Sequence, residues 1–562
     1  MLALFALIPM LFCAPHGGQF TPPLDDPDLP EVLKGVVAEP GLGPELPFEA
    51  YRWEWWLDFN QEELLDLRRR MPARARLAGT GTYEAVTADD RASTVLPALV
   101  AALRKRPPVA GQEVRRDINN RDVRAAAVLA LGRLGSADAV PYIQIVAESD
   151  PDLFVRLFAV LALGFSGRSE AVEDLVRLYR DPHEPEQIRT FAAAGLGLIG
   201  NTQAVDTLLT GLGEKALADM NNQLRAATIY AAGVCGNPTL GVALRALDGT
   251  WLFQKEPDVR ALAAVSLGRI DDPASVPFLL KLITDPDNQV RRSAASALQA
   301  SSARLDKASI ETMIEQYERD ADQNTRLNLL RALGSARLPE SRAFLRQALT
   351  TSTYEYRPHV ALALAFDGDP GNAPVLLASL ADQKDLSVVS ALTFSLGMLQ
   401  AGSATDPLLA RFDAQSEASA RGYLCIALGL IDPPQPELAA RFSTLALTGH
   451  DVELTRSALI GLGLLGARGE IDKLAAALPS VKGVMARAAL VHGLGLVGDR
   501  KTLKPLLDVL KDDSQTTYVR AYTLQAIGEI SDPREISQCW RLSSHVELNH
   551  DIGFLFDLYR VL

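Results

Sequence analysis

The side chains best suited to metal or acid–base chemistry are few and scattered in this sequence. It holds seven histidines in 562 residues, and an acidic residue directly follows only three of them, His183, His450 and His550. A transition-metal site needs several ligands that converge on one point. The sequence also lacks His-Glu-x-x-His, Gly-x-Ser-x-Gly and phosphate-loop motifs. It therefore predicts no catalytic residue, no metal site and no cofactor.

The four cysteines form no redox or zinc-binding pattern. Cys13 lies near the N-terminus, Cys235, Cys425 and Cys539 lie far apart, and no two are spaced as Cys-x-x-Cys. We expect the last three to be free, buried thiols that pack as small apolar side chains.

One stretch of sequence recurs along most of the chain and determines its secondary structure. The first copy is Val123–Gly135, VRAAAVLALGRLG, and from Val123 to Val519 the copies have a mean spacing of 33 residues. A period of this size is typical of a stacked repeat array. The thirteen copies begin at Val123, Val155, Ile188, Leu224, Val259, Val290, Thr325, Tyr356, Val388, Ala420, Leu454, Ala486 and Val519.

Each copy has the pattern of a helix. Counted from its first residue, apolar residues fall at positions 0, 4, 7, 8 and 11. A shorter amphipathic segment such as Ala139–Ala147 lies between consecutive copies, so each repeat is a pair of helices. Glycine occupies position +9 in eleven of the thirteen copies, which indicates close helix packing or a helix end. A second glycine at +12, as in Gly167 and Gly498, fits a left-handed C-terminal cap.

Arginine occupies position +1 in eleven copies, for example Arg124 and Arg260. A row of arginines could bind anions. An aspartate usually precedes each arginine, however, and a carboxylate neutralises a guanidinium group. We therefore expect an Asp–Arg ladder that ties each repeat to the next.

The motif V-R-x-x-A-x-x-A-L-G-x-L-G with its paired helix resembles the short bacterial HEAT-like repeat, the type also found in phycobilin lyases. The resemblance covers roughly residues 95–562. It implies an all-α fold, a right-handed α-solenoid (superhelix) of about 13 stacked two-helix repeats of about 33 residues. The function that we expect is that of a non-catalytic scaffold for a protein or peptide.

Two other functions stay open. One is a HEAT-like enzyme, either similar to a bilin lyase or a metal-dependent oxidoreductase. Deoxyhypusine hydroxylase is an enzyme of this class whose several His-Glu pairs hold two irons, and the one His-Glu pair here, at His183, cannot assemble such a site. The other is a nucleic-acid binder with a local basic patch, which the net charge of −13 disfavours.

By the same resemblance, the motif helix should line the concave face, with positions +2 and +6 exposed. An extended, partly apolar groove there would suit a polypeptide ligand. We expect a monomer that binds a protein or peptide and no nucleic acid. The polar candidates for contact are Tyr230, Arg292, Arg331, Arg456, His492 and Gln525.

The chain ahead of the repeats divides into three parts. Residues 1–14 resemble the apolar region of a secretory signal peptide, and they are too short to span a bilayer. We expect export to the periplasm or cell envelope, the alternative being a cytoplasmic protein. Residues 15–47 form a predicted linker rich in Pro, Gly and Asp. Residues 48–90 follow as a Trp-rich cap.

The cap contains Trp53, Trp55 and Trp56, and this segment resembles the N-terminal segment of some exported bacterial HEAT-repeat proteins. It either covers the open face of the first repeat or offers an aromatic docking surface. The predicted solenoid spans residues 91–550, and residues 551–562 form a predicted C-terminal cap helix.

Overall fold

The computed structural model describes residues 53–103, 121–270, 272–448, 451–535, 537–543, 554, 555 and 558. The signal peptide (1–14) and the linker (15–47) lie outside the described residues, so export stays a prediction. Most of the predicted C-terminal cap helix (551–562) also lies outside them. All regular secondary structure in the described part of the chain is helical.

Helices formed by the motif alternate with connecting helices, most of which are shorter. In chain order they are α1 Trp53–Leu65, α2 Leu67–Ala78, α3 Leu96–Leu103, α4 Arg121–Arg133, α5 Val140–Ser149, α6 Leu153–Ser166, α7 Val172–Arg180, α8 Glu186–Ile199, α9 Thr202–Gly211, α10 Glu214–Asp219, α11 Asn222–Cys235, α12 Pro238–Ala246, α13 Trp251–Lys255, α14 Pro257–Arg269, α15 Ser275–Leu282, α16 Asn288–Ala300, α17 Lys307–Arg319, α18 Gln323–Ser335, α19 Pro339–Thr351, α20 Arg357–Asp367, α21 Ala373–Ala381, α22 Leu386–Met398, α23 Thr405–Ala414, α24 Ala418–Leu430, α25 Leu438–Thr448, α26 Val452–Leu464, α27 Arg468–Ala477, α28 Val484–Val497, α29 Arg500–Lys511, α30 Thr517–Ser531 and α31 Gln538–Ser543.

Every copy of the sequence motif forms one helix of an inner layer, and each inner helix packs against the next. The inner helices are α4, α6, α8, α11, α14, α16, α18, α20, α22, α24, α26, α28 and α30. The connecting helices form an outer layer, which begins with α3 as the sequence predicts. The predicted all-α solenoid of stacked helix pairs is therefore confirmed.

Side-chain caps set where the inner helices begin. The carboxylate of Asp152 accepts a hydrogen bond from the amide of Phe154, and the carboxylate of Asp322 accepts one from that of Thr325. At the other end, Gly167 has a φ of 62° and closes its helix in the left-handed conformation. Gly498 differs from that prediction with a φ of −77°, because the chain there continues in an extended conformation into the cap of α29.

The glycine at position +9 serves close packing between inner helices. A Cβ atom added to Gly268 would lie 2.7 Å from the Cα atom of Ala297, which is position +7 of the next inner helix. A Cβ added to Gly397 would lie 2.6 Å from the Cα atom of Ala427. No side chain fits between these backbones, so the helices interlock through small residues.

The inner layer closes on itself. Helix α30 packs against α4, and a Cβ added to Gly528 would lie 2.9 Å from the Cα atom of Ala130. This interface, which we call the seam, uses the same +9 to +7 contact as the others. The predicted solenoid is therefore closed, and its thirteen inner helices in the described part of the chain form a ring. Because every repeat carries matching front and back faces, the last can accept the first once the accumulated rotation completes a turn.

The expected ladder forms only in part, and its acids differ from those predicted. In the described part of the chain, four of the eleven arginines at position +1 pair with an acid that follows the next connecting helix. Others donate to backbone carbonyls instead, for example Arg189 and Arg225. Arg124 pairs with Asp150 at 2.8 Å, and Arg291 pairs with Asp320 at 2.8 Å. These acids lie in the loop that leads to the next inner helix, so each pair links two repeats. The aspartates of the turns, such as Asp152, cap helices instead.

Candidate binding cavity inside the ring

Two segments from the ends of the described chain fill the interior of the ring. We call α1 and α2 (residues 53–78) the N-terminal plug, and residues 537–543 together with Phe554 the C-terminal plug. The concave face expected to be open is therefore largely covered by the chain itself.

Trp53 anchors the N-terminal plug in an apolar part of the interior. Its side chain is 1% exposed, and its ring centroid lies 4.9 Å from that of Tyr423 and 6.3 Å from that of Phe394. The indole Nε1–H donates a hydrogen bond to Oγ of Ser387 at 3.0 Å, so its polar atom is satisfied. Apolar side chains of α20, α22, α24 and α26 complete this cluster. The plug is thus held as an amphipathic helix in a groove.

Arginines of α2 fix the plug to the ends of inner helices. Arg74 donates a hydrogen bond to the carbonyl oxygen of Leu430 at 2.8 Å, at the end of α24. Arg68 donates to the carbonyl oxygens of Glu529 at 2.9 Å and Asp532 at 3.0 Å, at the end of α30. Carbonyl groups at a helix C-terminus lack partners within the helix and attract cations.

The C-terminal plug is held mainly by hydrogen bonds to backbone carbonyls. Arg541 donates to the carbonyl oxygens of Leu198 at 2.8 Å and Val234 at 3.1 Å, at the ends of α8 and α11. In the opposite direction, Arg269 of α14 donates to the carbonyl oxygen of Arg541 at 3.0 Å.

The six residues predicted to line an open concave face do lie on inner helices, but they are not exposed. Arg292 is partly buried and the other five are buried. Two of them contact a plug: the Tyr230 hydroxyl donates to the carbonyl oxygen of Leu542, and Arg456 donates to Oε1 of Gln61 at 3.2 Å. The prediction that positions +2 and +6 are exposed is wrong at these sites, because the interior of the ring is filled.

The other four residues bind neighbours within the inner layer, and their role in binding a partner stays a prediction. Their contacts are Arg292 with Asp322 at 2.5 Å, Arg331 with Nδ1 of His359 at 3.1 Å, His492 with the Tyr522 ring at 5.7 Å between centroids, and Gln525 with Oε1 of Glu529 at 3.3 Å.

The aromatic cap is displaced from its expected place. Trp53 packs against the eighth to eleventh inner helices rather than over the first repeat, which has no open face because the seam covers it. Trp55 and Trp56 lie in the same helix, and their docking role stays a prediction.

A cavity remains between the N-terminal plug and the seam. Its volume is about 630 Å³, within the range of about 300–1,000 Å³ that is common for ligand sites. We call it the seam cavity. It is lined by the junction of α1 and α2, the segment 83–88 and the C-terminal ends of α4, α28 and α30, with apolar contributions from Leu65, Met71, Val86, Leu496 and Ile530.

Two polar atoms on the wall of this cavity have no hydrogen-bond partner among the described residues. Oε1 of Glu529 lies 3.3 Å from Nη1 of Arg133, whereas Oε2 is buried and unpaired. The Tyr83 hydroxyl is also buried and unpaired. Burial raises the pKa of the Glu529 carboxyl, and Arg133 opposes that shift. Buried polar atoms are nearly always hydrogen-bonded, so these two atoms are candidate groups for a hydrogen bond with a ligand.

Acidic side chains outnumber basic ones in the lining of the cavity. Seven acidic and four basic side chains line it. Each basic side chain is already engaged: Arg68 and Arg91 by backbone carbonyls, Arg133 by Glu529, and Arg534 by Asp532. Three of the other acids pair with cations that lie outside the lining, namely Asp66 with Arg69, Glu84 with Lys501 and Asp499 with Arg468. The C-terminal ends of three inner helices add partial negative charge. The cavity therefore favours a ligand that combines apolar groups with a positive charge.

Sequence reasoning missed both Glu529 and Tyr83. Glu529 is the one acid at position +10 of the thirteen motif copies, where the other residues are apolar, small or arginine. That exception was a usable signal, since position +10 faces the interior. Nothing comparable in the sequence identifies Tyr83, which reaches the cavity only because segment 83–88 crosses the rim of the ring.

Within the described ranges, no three His, Cys, Asp or Glu side chains are grouped so that they could hold a metal ion. In the same part of the chain, no helix has the length and apolar character needed to cross a bilayer.

Stacked helix pairs, small residues at the interfaces and a filled interior define an all-α solenoid closed into a ring. A sequence model of HEAT repeats matches residues 112–189, 210–299 and 310–397. Residues in these three ranges are therefore HEAT repeats, and the helix pairs beyond them continue the same packing. No curated protein matches the chain in sequence.

Several solved structures are similar over part of the chain. Human deoxyhypusine hydroxylase in complex with glycerol is 20% identical, covers 46% of this chain and 96% of its own, and has a TM-score of 0.22. The complex of CpcE and CpcF of phycocyanin lyase from Nostoc is 17% identical, with 53% and 97% coverage and a TM-score of 0.29. The karyopherin Kap121p bound to the extreme C-terminus of the protein phosphatase Cdc14p is 12% identical, with 78% and 55% coverage and a TM-score of 0.35. Similarities at this level carry no conclusion about function.

Proposed function

We propose that the protein is a binding scaffold without catalytic activity, and that a segment of a partner polypeptide docks in the seam cavity. The observation that carries the proposal is the cavity itself, about 630 Å³ of partly enclosed space with largely apolar walls between the N-terminal plug and the seam. Convergent polar groups on an apolar wall are typical of a binding site.

The way the ring holds its own N-terminal plug supports a polypeptide as the ligand. The inner helices accept α1 through apolar side chains and accept α2 through hydrogen bonds to its arginines. A partner segment beside the plug would meet the same two kinds of surface.

The test is a peptide-display selection on the intact protein, with counter-selection on a variant whose cavity is filled. Ala85 lines the cavity and its side chain is exposed, so Ala85→Trp should fill the space without disturbing a buried residue. Ala381→Trp is the matched control, because Ala381 is exposed at the end of α21, on the outer layer.

We expect peptides that bind the wild type and the Ala381→Trp variant and lose binding to the Ala85→Trp variant. Selected peptides that bind all three proteins equally would overturn the proposal. A selection that enriches no peptide dependent on the cavity would overturn it as well.

A further inference from the structure

We infer that the segment bound in the seam cavity carries a basic side chain, whose cation donates a hydrogen bond to Oε2 of Glu529 while apolar neighbours pack against Leu496 and Ile530. This inference rests on the proposed function and specifies the chemistry of its ligand.

The position of Glu529 is the first argument. Its side chain is 8% exposed and lines the cavity. One carboxylate oxygen is bound by Arg133 and Gln525, which leaves Oε2 without a donor in the described part of the chain. A Cβ atom added to Gly495 would lie 2.7 Å from Oε2. The absence of a side chain at Gly495 is therefore what allows the carboxylate to occupy this place.

The surrounding charge is the second argument. The lining holds seven acids and four arginines, but Arg69, Lys501 and Arg468 outside it pair with three of the acids, so the helix ends supply most of the preference for a cation. The ends of α28 and α30, capped by Gly498 and Asp532, also form part of the wall. Helix C-termini stabilise a cation and disfavour an anion.

The Tyr83 hydroxyl is the third argument. Tyr83 also lines the cavity, its hydroxyl is buried, and no described residue accepts from it or donates to it. A primary ammonium or guanidinium group has several donors, so one basic side chain can serve the carboxylate and the hydroxyl when it lies between them.

The experiment uses fluorescein-labelled copies of the peptides recovered in the selection, measured by fluorescence anisotropy. Each peptide is paired with a copy in which norleucine, a neutral residue of similar length, replaces the lysine or arginine. We expect the recovered peptides to contain a basic residue and the norleucine copy to bind the wild type at least ten times more weakly.

Variants of the protein connect that loss to Glu529. In the Glu529→Gln variant the difference between the two peptides should fall to less than threefold. Glu311→Gln, an exposed acid on α17, is the matched control and should keep the full difference. Since Glu529 also pairs with Arg133, Tyr83→Phe provides a second variant that leaves this ion pair intact, and it should reduce the difference in part.

The possible failures are distinguishable. Cavity-dependent peptides that lack a basic residue, or a norleucine effect that is equal in the wild type and in Glu529→Gln, would overturn the inference while the proposed function stands. A selection that yields no cavity-dependent peptide would overturn both.

Discussion

The two halves of the ring interior hold the two plugs by different kinds of contact. The half formed by α20, α22, α24 and α26 presents an apolar wall, against which Trp53 and the leucines of α1 are buried. The half formed by α4, α8, α11 and α14 holds the C-terminal plug through arginines and backbone carbonyls. The repeats have the same backbone design in both halves, so a few inward-facing side chains decide which segment binds where.

Position +10 of the motif shows this difference most clearly. In the apolar half it is Phe366, Met398, Leu430 or Leu464, and in the polar half it includes Arg133 and Arg269. An arginine at this position can reach a carbonyl oxygen of the plug, whereas a leucine there can only be buried by an apolar surface. The side chains at position +10 therefore determine which terminal segment each half binds. The seam cavity lies where the two halves meet.

The largest expected loss of stability comes from a substitution in the apolar half. Trp53→Ala should lower the free energy of unfolding by about 3–5 kcal/mol, because it removes a buried aromatic side chain and leaves a cavity. Hydrogen exchange should rise in residues 53–65 and stay unchanged in residues 537–543. Trp251→Ala, at a side chain that is 66% exposed, is the control and should change stability little. Equal exchange in both plugs would contradict the separation of the two halves.

The next largest loss of stability is expected from a substitution in the polar half. Arg541→Ala should cost roughly 2–3 kcal/mol, because it removes charge-assisted hydrogen bonds to Leu198 and Val234 and leaves their carbonyl groups without a donor. Exchange should now rise in residues 537–543 and not in α1. Arg319→Ala, which removes an exposed ion pair with Glu315, is the control. Because the two plugs lie apart, the effects of Trp53→Ala and Arg541→Ala should add.

Both halves depend on the closure of the ring, and a smaller change tests that closure. Gly528→Ala places a Cβ 2.9 Å from Cα of Ala130 across the seam, and Gly268→Ala creates the same conflict inside the array. Each should destabilise by about 1–3 kcal/mol in urea unfolding, and by similar amounts.

Gly469→Ala is the control for these variants, because nothing lies within 4 Å of the added atom and glycine weakens a helix. It should be neutral or stabilising. If Gly528→Ala behaved in the same way, the seam would be open in solution and the interior would not be divided into two closed halves.

The sequence predicts the repeat and its packing because these are local and periodic. The +9 glycine, the helix pairs and the arginine ladder all follow from spacing, and the structure contains the first two and part of the ladder. Closure is not visible in one repeat, because it depends on a small rotation that accumulates over thirteen of them. The glycine at position +9 is the same at Gly528 as at Gly268, although one lies at the seam and the other does not.

The same limit explains the outcome for the candidate site. Tyr230 and Arg456 were chosen as polar residues on an inward-facing register, and they do contact polypeptide, but the polypeptide is the chain's own plug. The seam cavity could not be predicted, because it joins residues 61–91 to residues that lie about 400 positions later. Contacts between residues so far apart in the chain cannot be predicted from the spacing of residues within a repeat.

The smallest expected loss of stability tests how two donors in the polar half share one acceptor. Tyr230→Phe removes the hydroxyl that donates to the carbonyl oxygen of Leu542. Nη2 of Arg269 still donates to that oxygen at 3.1 Å, and its guanidinium still lies 4.7 Å from the aromatic ring. The cost should therefore be about 1 kcal/mol, less than half that of Arg541→Ala. In an Arg269→Ala background the Leu542 carbonyl would have neither donor, so Tyr230→Phe should cost more there. Equal costs in the two backgrounds would mean that the carbonyl is held by one donor alone, and that hydrogen bonds in this half do not share their acceptors.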